Sequence, residues 1–325
     1  MRSDRSFYQS ALLLAVVFIL LFLFSLFIGS SRIEPDNIFV PGSVDNIIIF
    51  SIRLPRAIAA ALAGFAFSLS GLLLQSATGN DLASPNIIGM NSGAGFAVLL
   101  FISCFPSLFF LLPLVAFMGG VLALLLVFAI AAMVGTRTSS SALILAGIAV
   151  NALFNALIST ISSLDPEVMS SYSAFSIGGF ASVQVSSLIV PAVIIAVSAV
   201  MVFIFAGLMD TIKLGDEIVS SMGYHPARIR AVLAILAALL AASAVSFSGL
   251  LGFVGLVTPH LASYLCSSRS RRTAFITVLA GMDLVLLSDL LARTVIMPGE
   301  LPAGVFMAAV GVPFFIFLLI RRARR

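Results

Sequence analysis

The sequence has 325 residues, of which 61% are hydrophobic and 9% are charged. Soluble domains carry about 25% charged residues, so this composition excludes an ordinary soluble protein. The formal net charge of +4 follows from the distribution of arginines about a membrane, and it does not indicate a nucleic-acid partner.

Ten apolar runs are long enough, or nearly so, to cross a bilayer, which requires about 20 residues per helix. The eighth run is short and is interrupted by glycine and proline. The sequence therefore predicts an all-α integral membrane protein with about ten transmembrane helices, in a single transmembrane domain over residues 1–325. The predicted spans are residues 11–29, 57–77, 86–104, 109–134, 141–163, 187–209, 229–248, 254–267, 274–292 and 303–320.

The positive residues predict the orientation of these helices, because lysine and arginine favour cytoplasmic loops. With both termini in the cytoplasm, 13 of the 17 lysines and arginines lie on the cytoplasmic side. The four that then lie outside are Arg32, Arg53, Arg56 and Arg293. We therefore expect a multi-pass protein of the cell membrane, surrounded by lipid, with both termini cytoplasmic.

Two predicted outer loops are long, residues 30–56 and residues 164–186, and the second is expected to hold a short helix or a re-entrant piece. The only sizeable cytoplasmic loop covers about residues 210–228. Its apolar residues recur at the i, i+4, i+8 spacing of one helix face: Leu214, Ile218 and Met222.

This cytoplasmic loop has the pattern of a short amphipathic helix. Asp216 and Glu217 fall in its first turn, where carboxylates suit the helix dipole, and Gly223 can end it. Two interpretations remain open from these residues alone. The helix rests on lipid headgroups, or it fits a groove on a soluble partner.

The sequence lacks the motifs of an ATPase or of a membrane enzyme. Its single lysine, Lys213, lies between isoleucine and leucine, so no glycine-rich phosphate loop ending in Gly-Lys-Ser or Gly-Lys-Thr is present. No HExxH, GxSxG or paired-aspartate pattern occurs either. Cys104 and Cys266 are too few for a metal site. We therefore expect no cofactor, no metal and no catalytic residues, and any ATPase is a separate chain.

Three residues with carboxylate or imidazole side chains fall inside predicted spans, where such residues usually have a function. Asp289 lies four residues before Arg293, a spacing that permits an ion pair. His260 follows Pro259 and can bond freed backbone carbonyls or a ligand. Asp283 lies deeper and suits either a proton relay or a packing or dimer contact. An ion-coupled secondary transporter using Asp283 is therefore an alternative function.

Five segments together resemble the FecCD family, permeases of ATP-driven importers for ferric siderophores, haem and vitamin B12. In chain order they are RLPR at 53–56 followed by AGFAFSLSGLLLQ at 63–75, GNDLASPNIIGMNSGAG at 79–95, LGDEIVSSMG at 214–223, SGLLGFVGLVTPHLASYL at 248–265 and DLLARTVIMPGELPAGVFMAAVGVPFF at 289–315. Gly79, Asp81 and Ser263 depart from the arginine, proline and arginine that the family commonly has there.

The resemblance implies the partners and the cargo. The partners are a second permease subunit, identical or paralogous, two cytoplasmic ATPase subunits and an extracytoplasmic substrate-binding protein. Ferric siderophore is the favoured cargo because it is the most numerous class in the family; haem and cobalamin remain alternatives. Arg53, Arg56 and Arg293 are then expected to dock the binding protein.

The resemblance also implies where the ATPase acts and where the pathway closes. The residues expected to contact the ATPase are Leu214, Gly215, Asp216, Glu217, Ser221 and Gly223. The residues expected to form the cytoplasmic gate are Asn80, Leu82, Thr138, Ser139 and Ser140. The pathway is expected at the interface between two permease subunits, lined in part by the fifth span.

Overall fold

A computed structural model of the chain describes residues 2–29, 31, 33–86, 88–134, 140–181, 183–266 and 270–323, and within these ranges the regular structure is entirely helical. The α-helices are α1 (Arg2–Phe27), α2 (Val44–Ile47), α3 (Leu54–Thr78), α4 (Met90–Cys104), α5 (Leu112–Val134), α6 (Ser140–Leu164), α7 (Pro166–Ile177), α8 (Val185–Ile204), α9 (Ala206–Ile212), α10 (Asp216–Ser221), α11 (Pro226–Ser248), α12 (Val254–Leu265), α13 (Ser270–Ala292) and α14 (Ala303–Ala323).

Nine of the ten predicted spans each coincide with one of these helices, and the sixth coincides with two, which confirms an all-α, multi-pass membrane protein. Within the described part of the chain, seven helical stretches are long and apolar enough to cross a bilayer, and α4 and α14 supply shorter apolar helices. The eighth predicted span is α12, a helix of 12 residues. The number of helices that cross the bilayer and the cytoplasmic side of the termini stay predictions.

Two helix boundaries differ from the prediction. The predicted loop before the second span is helical from Val44 onward, because Ser43 accepts a hydrogen bond from the Asn46 N–H at 3.1 Å and so caps α2. A π-helical turn, Ile48–Arg53, then joins α2 to α3. The sixth predicted span, residues 187–209, is interrupted at Phe205, where α8 ends and α9 begins.

Helix α3 is the centre of the bundle and packs against α11, α12 and α13 through small residues. A side chain at Gly64 would overlap the backbone carbonyl of Gly281 in α13, and one at Gly71 would overlap the carbonyl of Gly255 in α12. Backbones approach this closely in membrane bundles where glycine and alanine form the contact. These two crossings therefore set the position of α3.

Gly249 and Gly252 lie between α11 and α12, and Pro259 lies inside α12, which matches the predicted break by glycine and proline. Pro259 has no N–H, which leaves the Gly255 carbonyl without its helical donor, and the Gln75 side-chain amide donates to that carbonyl at 3.4 Å. The His260 imidazole bonds the Leu256 carbonyl at 2.9 Å. His260 thus bonds a carbonyl of its own helix, whereas the carbonyl freed by Pro259 is bonded by Gln75. A ligand contact by His260 stays a prediction.

The helices run between two ends of the bundle. Arg56, at the start of α3, lies beside Asp289 near the end of α13, and we call this the arginine end. Arg230, at the start of α11, bonds the carbonyl of Ala77 at the opposite end of α3, and we call this the coupling end. Each name is used below for the whole end.

Candidate functional site

At the arginine end, a buried ion network joins three elements. The Arg56 Nε lies 3.0 Å from Asp289 Oδ1, and its Nη1 lies 2.6 Å from Glu300 Oε2. Asp289 is 0% exposed, whereas the Glu300 side chain is 34% exposed. Arg56 therefore holds one fully buried carboxylate of α13 and one water-accessible carboxylate from the loop before α14.

Arg293 extends this network to helix α1. Its Nε lies 3.7 Å from Asp289 Oδ2, which confirms the predicted i,i+4 pair. Its Nη2 donates to the Ser25 carbonyl at 2.6 Å and to the Ser25 hydroxyl at 2.7 Å. Asp289 thus accepts hydrogen bonds from Arg56 and forms a longer ion pair with Arg293, and the two cations offset the desolvation of a carboxylate inside the bundle.

Arg53 caps the C-terminal end of α1. Its Nη1 donates to the Leu26 and Phe27 carbonyls at 3.0 and 2.8 Å, and its Nη2 donates to the Ser31 carbonyl at 2.6 Å. The last carbonyls of a helix have no partner within the helix and carry partial negative charge. The Arg53 guanidinium donates hydrogen bonds to these carbonyls and brings a positive charge to the end of α1. It thereby holds the end of α1 against the start of α3.

The three predicted docking arginines therefore lie together, but their guanidinium groups point into the protein. Arg53, Arg56 and Arg293 are 4%, 6% and 2% exposed. In this arrangement they connect α1, α3, α13 and the loop before α14. A role in docking a binding protein stays a prediction. Arg32, the fourth predicted outer arginine, lies outside the described residues.

Lysine at position 53 is expected to preserve only part of the contribution that Arg53 makes to stability. Lysine keeps the charge at the end of α1 but lacks the planar group that reaches several carbonyls at once. We expect Arg53→Lys to lower the free energy of unfolding by about 1 to 3 kcal/mol, the range for buried acceptors left unpaired. Thermal unfolding of the detergent-solubilised protein measures this; an unchanged midpoint would contradict the capping role.

A cavity of about 840 Å³ opens at the arginine end. Its wall is formed by the start of α5, by α7 and the segment that follows it, by the end of α11 and by residues 300–303. Phenylalanine rings, serine hydroxyls and Gln184 line it, and the Arg56–Glu300 pair forms one edge. The predicted short helix in this region, now α7, is confirmed; Asp165 caps it by accepting from the Val168 N–H at 3.3 Å.

The coupling loop, residues 213–225, projects from the coupling end. Its helix α10 is shorter than the predicted amphipathic face, since it begins at Asp216 after Gly215 adopts a φ of 92°. The predicted apolar stripe faces outward: Leu214, Ile218 and Met222 are 49%, 51% and 53% exposed. Such a row of exposed apolar side chains suits contact with another surface.

The end of this loop has the geometry predicted for Gly223. Gly223 has a φ of 83°, its N–H donates to the Ser220 carbonyl at 3.0 Å, and the Tyr224 N–H donates to the Val219 carbonyl at 3.1 Å. This pair of bonds is a Schellman motif, which ends a helix at a glycine in the left-handed region. The loop therefore has a defined shape.

Arg230 fixes the loop to the bundle, a role that was not predicted from the sequence. Its two Nη atoms donate to the Asp216 carboxylate at 2.9 and 2.6 Å, and its Nε donates to the Ala77 carbonyl at 3.1 Å. Arg230 is a buried charge near the start of the predicted seventh span, which was the available signal. Asp216 is thus held from within, while Glu217 remains exposed.

A second connection joins the loop to α13. Asp210 accepts from the Ser270 N–H at 3.1 Å and from the Ser270 hydroxyl at 2.6 Å, and Lys213 donates to the same hydroxyl at 3.0 Å. Asp210 therefore caps the start of α13. Displacement of the coupling loop would act directly on both α3 and α13.

The predicted gate is only partly described. Asn80 accepts from the Leu82 N–H through its side-chain oxygen at 3.0 Å, which makes a tight turn after α3 at the coupling end. Thr138 and Ser139 lie outside the described residues. Ser140 begins α6, but its side chain is likewise outside the description. The gate stays a prediction.

One face of α6 is polar and exposed. Asn151, Asn155, Ser159 and Ser163 follow one another at a spacing of four residues, and the last three are exposed. The Asn155 amide donates to the Asn151 side-chain oxygen at 3.2 Å. Polar side chains are unfavourable against lipid tails, so this face requires water or another protein surface beside it.

Asp283 is buried near the middle of α13, and neither of its carboxylate oxygens has a hydrogen-bond partner among the residues that the structure describes. A carboxyl group without a partner is costly in a bundle interior. Its predicted alternatives, a proton relay or a packing or dimer contact, remain open.

The comparisons with known proteins agree with this architecture. The FecCD transport family matches residues 17–321. The chain is 34% identical to the iron(3+)-hydroxamate import system permease protein FhuG of Bacillus subtilis, over 95% of this chain and 97% of that protein. It is 32% identical to the Fe(3+) dicitrate transport system permease protein FecC of Escherichia coli, over 94% of each.

Two further similarities extend the set. The chain is 32% identical to the hemin transport system permease protein HmuU of Yersinia pestis, over 85% of this chain and 84% of that protein. A metal-chelate type ABC transporter solved in an inward-facing conformation superimposes with a TM-score of 0.85 at 28% identity, over 96% of this chain and 98% of that one. With the family matched over nearly its whole length, this chain belongs to the FecCD transport family.

Proposed function

We propose that this chain is the transmembrane permease subunit of an ATP-driven importer of ferric chelates, and that separate subunits hydrolyse the ATP. The whole chain then acts as one transmembrane permease domain. Membership of the FecCD transport family supports this, as do relatives named for ferric hydroxamate, ferric dicitrate and hemin. Its partners are a second permease subunit, two cytoplasmic ATPase subunits and an extracytoplasmic binding protein.

The observation that carries the proposal is the coupling loop. It exposes an apolar row and the Glu217 carboxylate, yet Arg230 binds it to the bundle through Asp216, and its own Lys213 donates to Ser270 of α13. A surface that is rigid as well as exposed transmits a push from a partner to the helices behind it. We assign the coupling end to the cytoplasm and the loop to a cleft on the ATPase.

The translocation pathway lies, in this proposal, beside the polar face of α6, between two permease subunits. A second subunit would cover the polar stripe that lipid disfavours, and water with the chelate would fill the space between them. Chelates carry many hydrogen-bond acceptors, which serine and asparagine side chains satisfy without holding them tightly.

Loss of Glu217 is expected to reduce transport. In proteoliposomes containing the permease, its ATPase and its binding protein, Glu217→Ala should lower ATP-dependent uptake of a radioactive ferric chelate by about fivefold or more, the effect of removing one important interface side chain. The matched control is Asp36→Ala, an exposed carboxylate in the segment before α2, which should leave uptake unchanged. Equal uptake by Glu217→Ala and wild type would contradict the assigned coupling surface.

The cargo is tested in the same vesicles by offering ferric siderophore, haem and cobalamin separately. We expect uptake of ferric siderophore that requires ATP. The alternative, an ion-coupled carrier, draws its support from the Asp283 carboxylate, which has no hydrogen-bond partner among the described residues. It predicts uptake that does not depend on ATP and that is abolished by an ionophore or by Asp283→Asn. That result would contradict the proposed ATP-driven import.

A further inference from the structure

The cavity at the arginine end has a lining that discriminates by charge. Its volume of about 840 Å³ is within the roughly 300 to 1,000 Å³ of small-molecule sites. Aromatic rings such as Phe109, Phe175 and Phe180 supply apolar contact, and Ser171 and Gln184 supply neutral hydrogen-bonding groups. The lining can therefore hold a bulky ligand that is apolar in part and rich in oxygen atoms.

The positive charge at the edge of this cavity is already neutralised. Arg56 is the cation among the described lining residues, and its Nη1 lies 2.6 Å from the Glu300 carboxylate, which also lines the cavity. The Nε of the same guanidinium is bound to Asp289. A ligand in the cavity thus meets a closed ion pair, and the described part of the lining offers it no free guanidinium.

Among the described residues, a negative charge lies beside the wall. Glu167 is exposed in the first turn of α7 and lies four residues before Ser171, a spacing that places the two side chains on the same face of a helix. An anionic ligand against Ser171 would therefore approach a carboxylate. Juxtaposition of like charges disfavours binding, whereas a neutral ligand is unaffected by it.

Ferric chelates differ in charge in a way that this lining can distinguish. Three singly charged hydroxamates balance the charge of one ferric ion and give a neutral complex. Three doubly charged catecholates leave the complex a trianion, and citrate complexes are also anionic. The relatives of this chain include permeases named for hydroxamate and for dicitrate complexes, so family membership alone does not select between these classes.

We infer that this cavity takes an uncharged ferric chelate of the trishydroxamate type in preference to polyanionic catecholate or citrate chelates. The inference rests on the proposed function, since it presumes that ferric chelates pass through the arginine end. It adds the chemical class of the cargo and the feature that selects it, a lining in which the cation among the described residues, Arg56, is paired with Glu300.

The test compares uptake of three iron-55 complexes, ferrichrome, ferric enterobactin and ferric citrate, in proteoliposomes holding the permease with its ATPase and binding protein. Wild type is expected to take up ferrichrome about tenfold faster than either anionic complex. Ser171→Lys, which adds a cation to the wall, should raise the ratio of anionic to neutral uptake about three- to tenfold. Ser171→Gln adds length without charge and should leave that ratio unchanged.

The binding protein and the ATPase are the same in every preparation, so a change in the ratio reports on the permease wall. Gln184→Lys repeats the test from the segment before α8, with Gln184→Met as its control, should the first lysine variant fail to fold. Wild-type uptake of an anionic complex at or above the ferrichrome rate would overturn the inference, and so would lysine variants with an unchanged ratio. Neither result contradicts the proposed ATP-driven import of chelates. Uptake that does not require ATP, or no uptake at all, would contradict both the proposed function and this inference.

Discussion

Replacing Arg56 by alanine is expected to lower the free energy of unfolding by about 3 to 5 kcal/mol, the cost of removing one partner from a buried ion pair. Asp289 is 0% exposed, and after the replacement its nearest described cation is Arg293 at 3.7 Å. The carboxylate would then be buried with a single distant partner. Thermal unfolding of the detergent-solubilised protein would show the loss as a markedly lower midpoint.

Glu300→Gln is the matched control for this prediction. It removes the other carboxylate bound to Arg56, but the Glu300 side chain is 34% exposed, and partly exposed pairs contribute about 1 kcal/mol or less. The double variant Arg56→Ala with Asp289→Ala should lose less than the sum of the two single losses, because each single change leaves an unpaired charge. Equal effects of Arg56→Ala and Glu300→Gln would contradict a buried network.

Replacing Gly64 by alanine is expected to be the second large effect. The added methyl group would overlap the Gly281 carbonyl, and a backbone atom of a packed helix cannot rotate away as a side chain does. Overpacking a close contact costs about 1 to 3 kcal/mol or more, so we expect a folded yield well below wild type and little transport. Yield by size-exclusion chromatography and uptake in proteoliposomes measure both.

Gly207→Ala serves as the control for the glycine contact. Gly207 lies in helix α9 with nothing within 4 Å of the position of an added methyl group, so alanine there should be neutral or slightly stabilising through its better helix propensity. A normal yield for Gly64→Ala would show that α3 and α13 can separate at little cost, contrary to the packing described above.

The positions of the helices could be predicted from the sequence because lipid imposes a simple requirement on length and polarity. All ten runs appear as helices. The errors arose where local geometry decides the outcome: Ser43 starts a helix inside a predicted loop, and Phe205 separates α8 from α9. A window of apolar residues contains no information about either capping or a change of direction.

Contacts between residues distant in sequence were the least accessible to prediction. The Asp289–Arg293 pair could be found because both residues are on one helix at a spacing of four. Glu300 and Arg230 were missed, since their partners Arg56 and Asp216 are brought to them by the packing of separate helices. For the same reason, the distribution of positive charge predicts that Arg53, Arg56 and Arg293 lie on the outer side, but it does not predict that their guanidinium groups point into the protein.

Helix α3 carries Arg56 in its first turn and the Ala77 carbonyl, bound by Arg230, in its last. With 25 residues it is about 37 Å long at 1.5 Å per residue. A single rigid helix therefore extends from the ion network to Arg230, which holds the coupling loop. Its tightest crossings, at Gly64 and Gly71, lie between those two points. A rigid helix held near its middle pivots about that point. Movement of the coupling loop in one direction would therefore carry Arg56, and the cavity edge that it forms with Glu300, in the opposite direction.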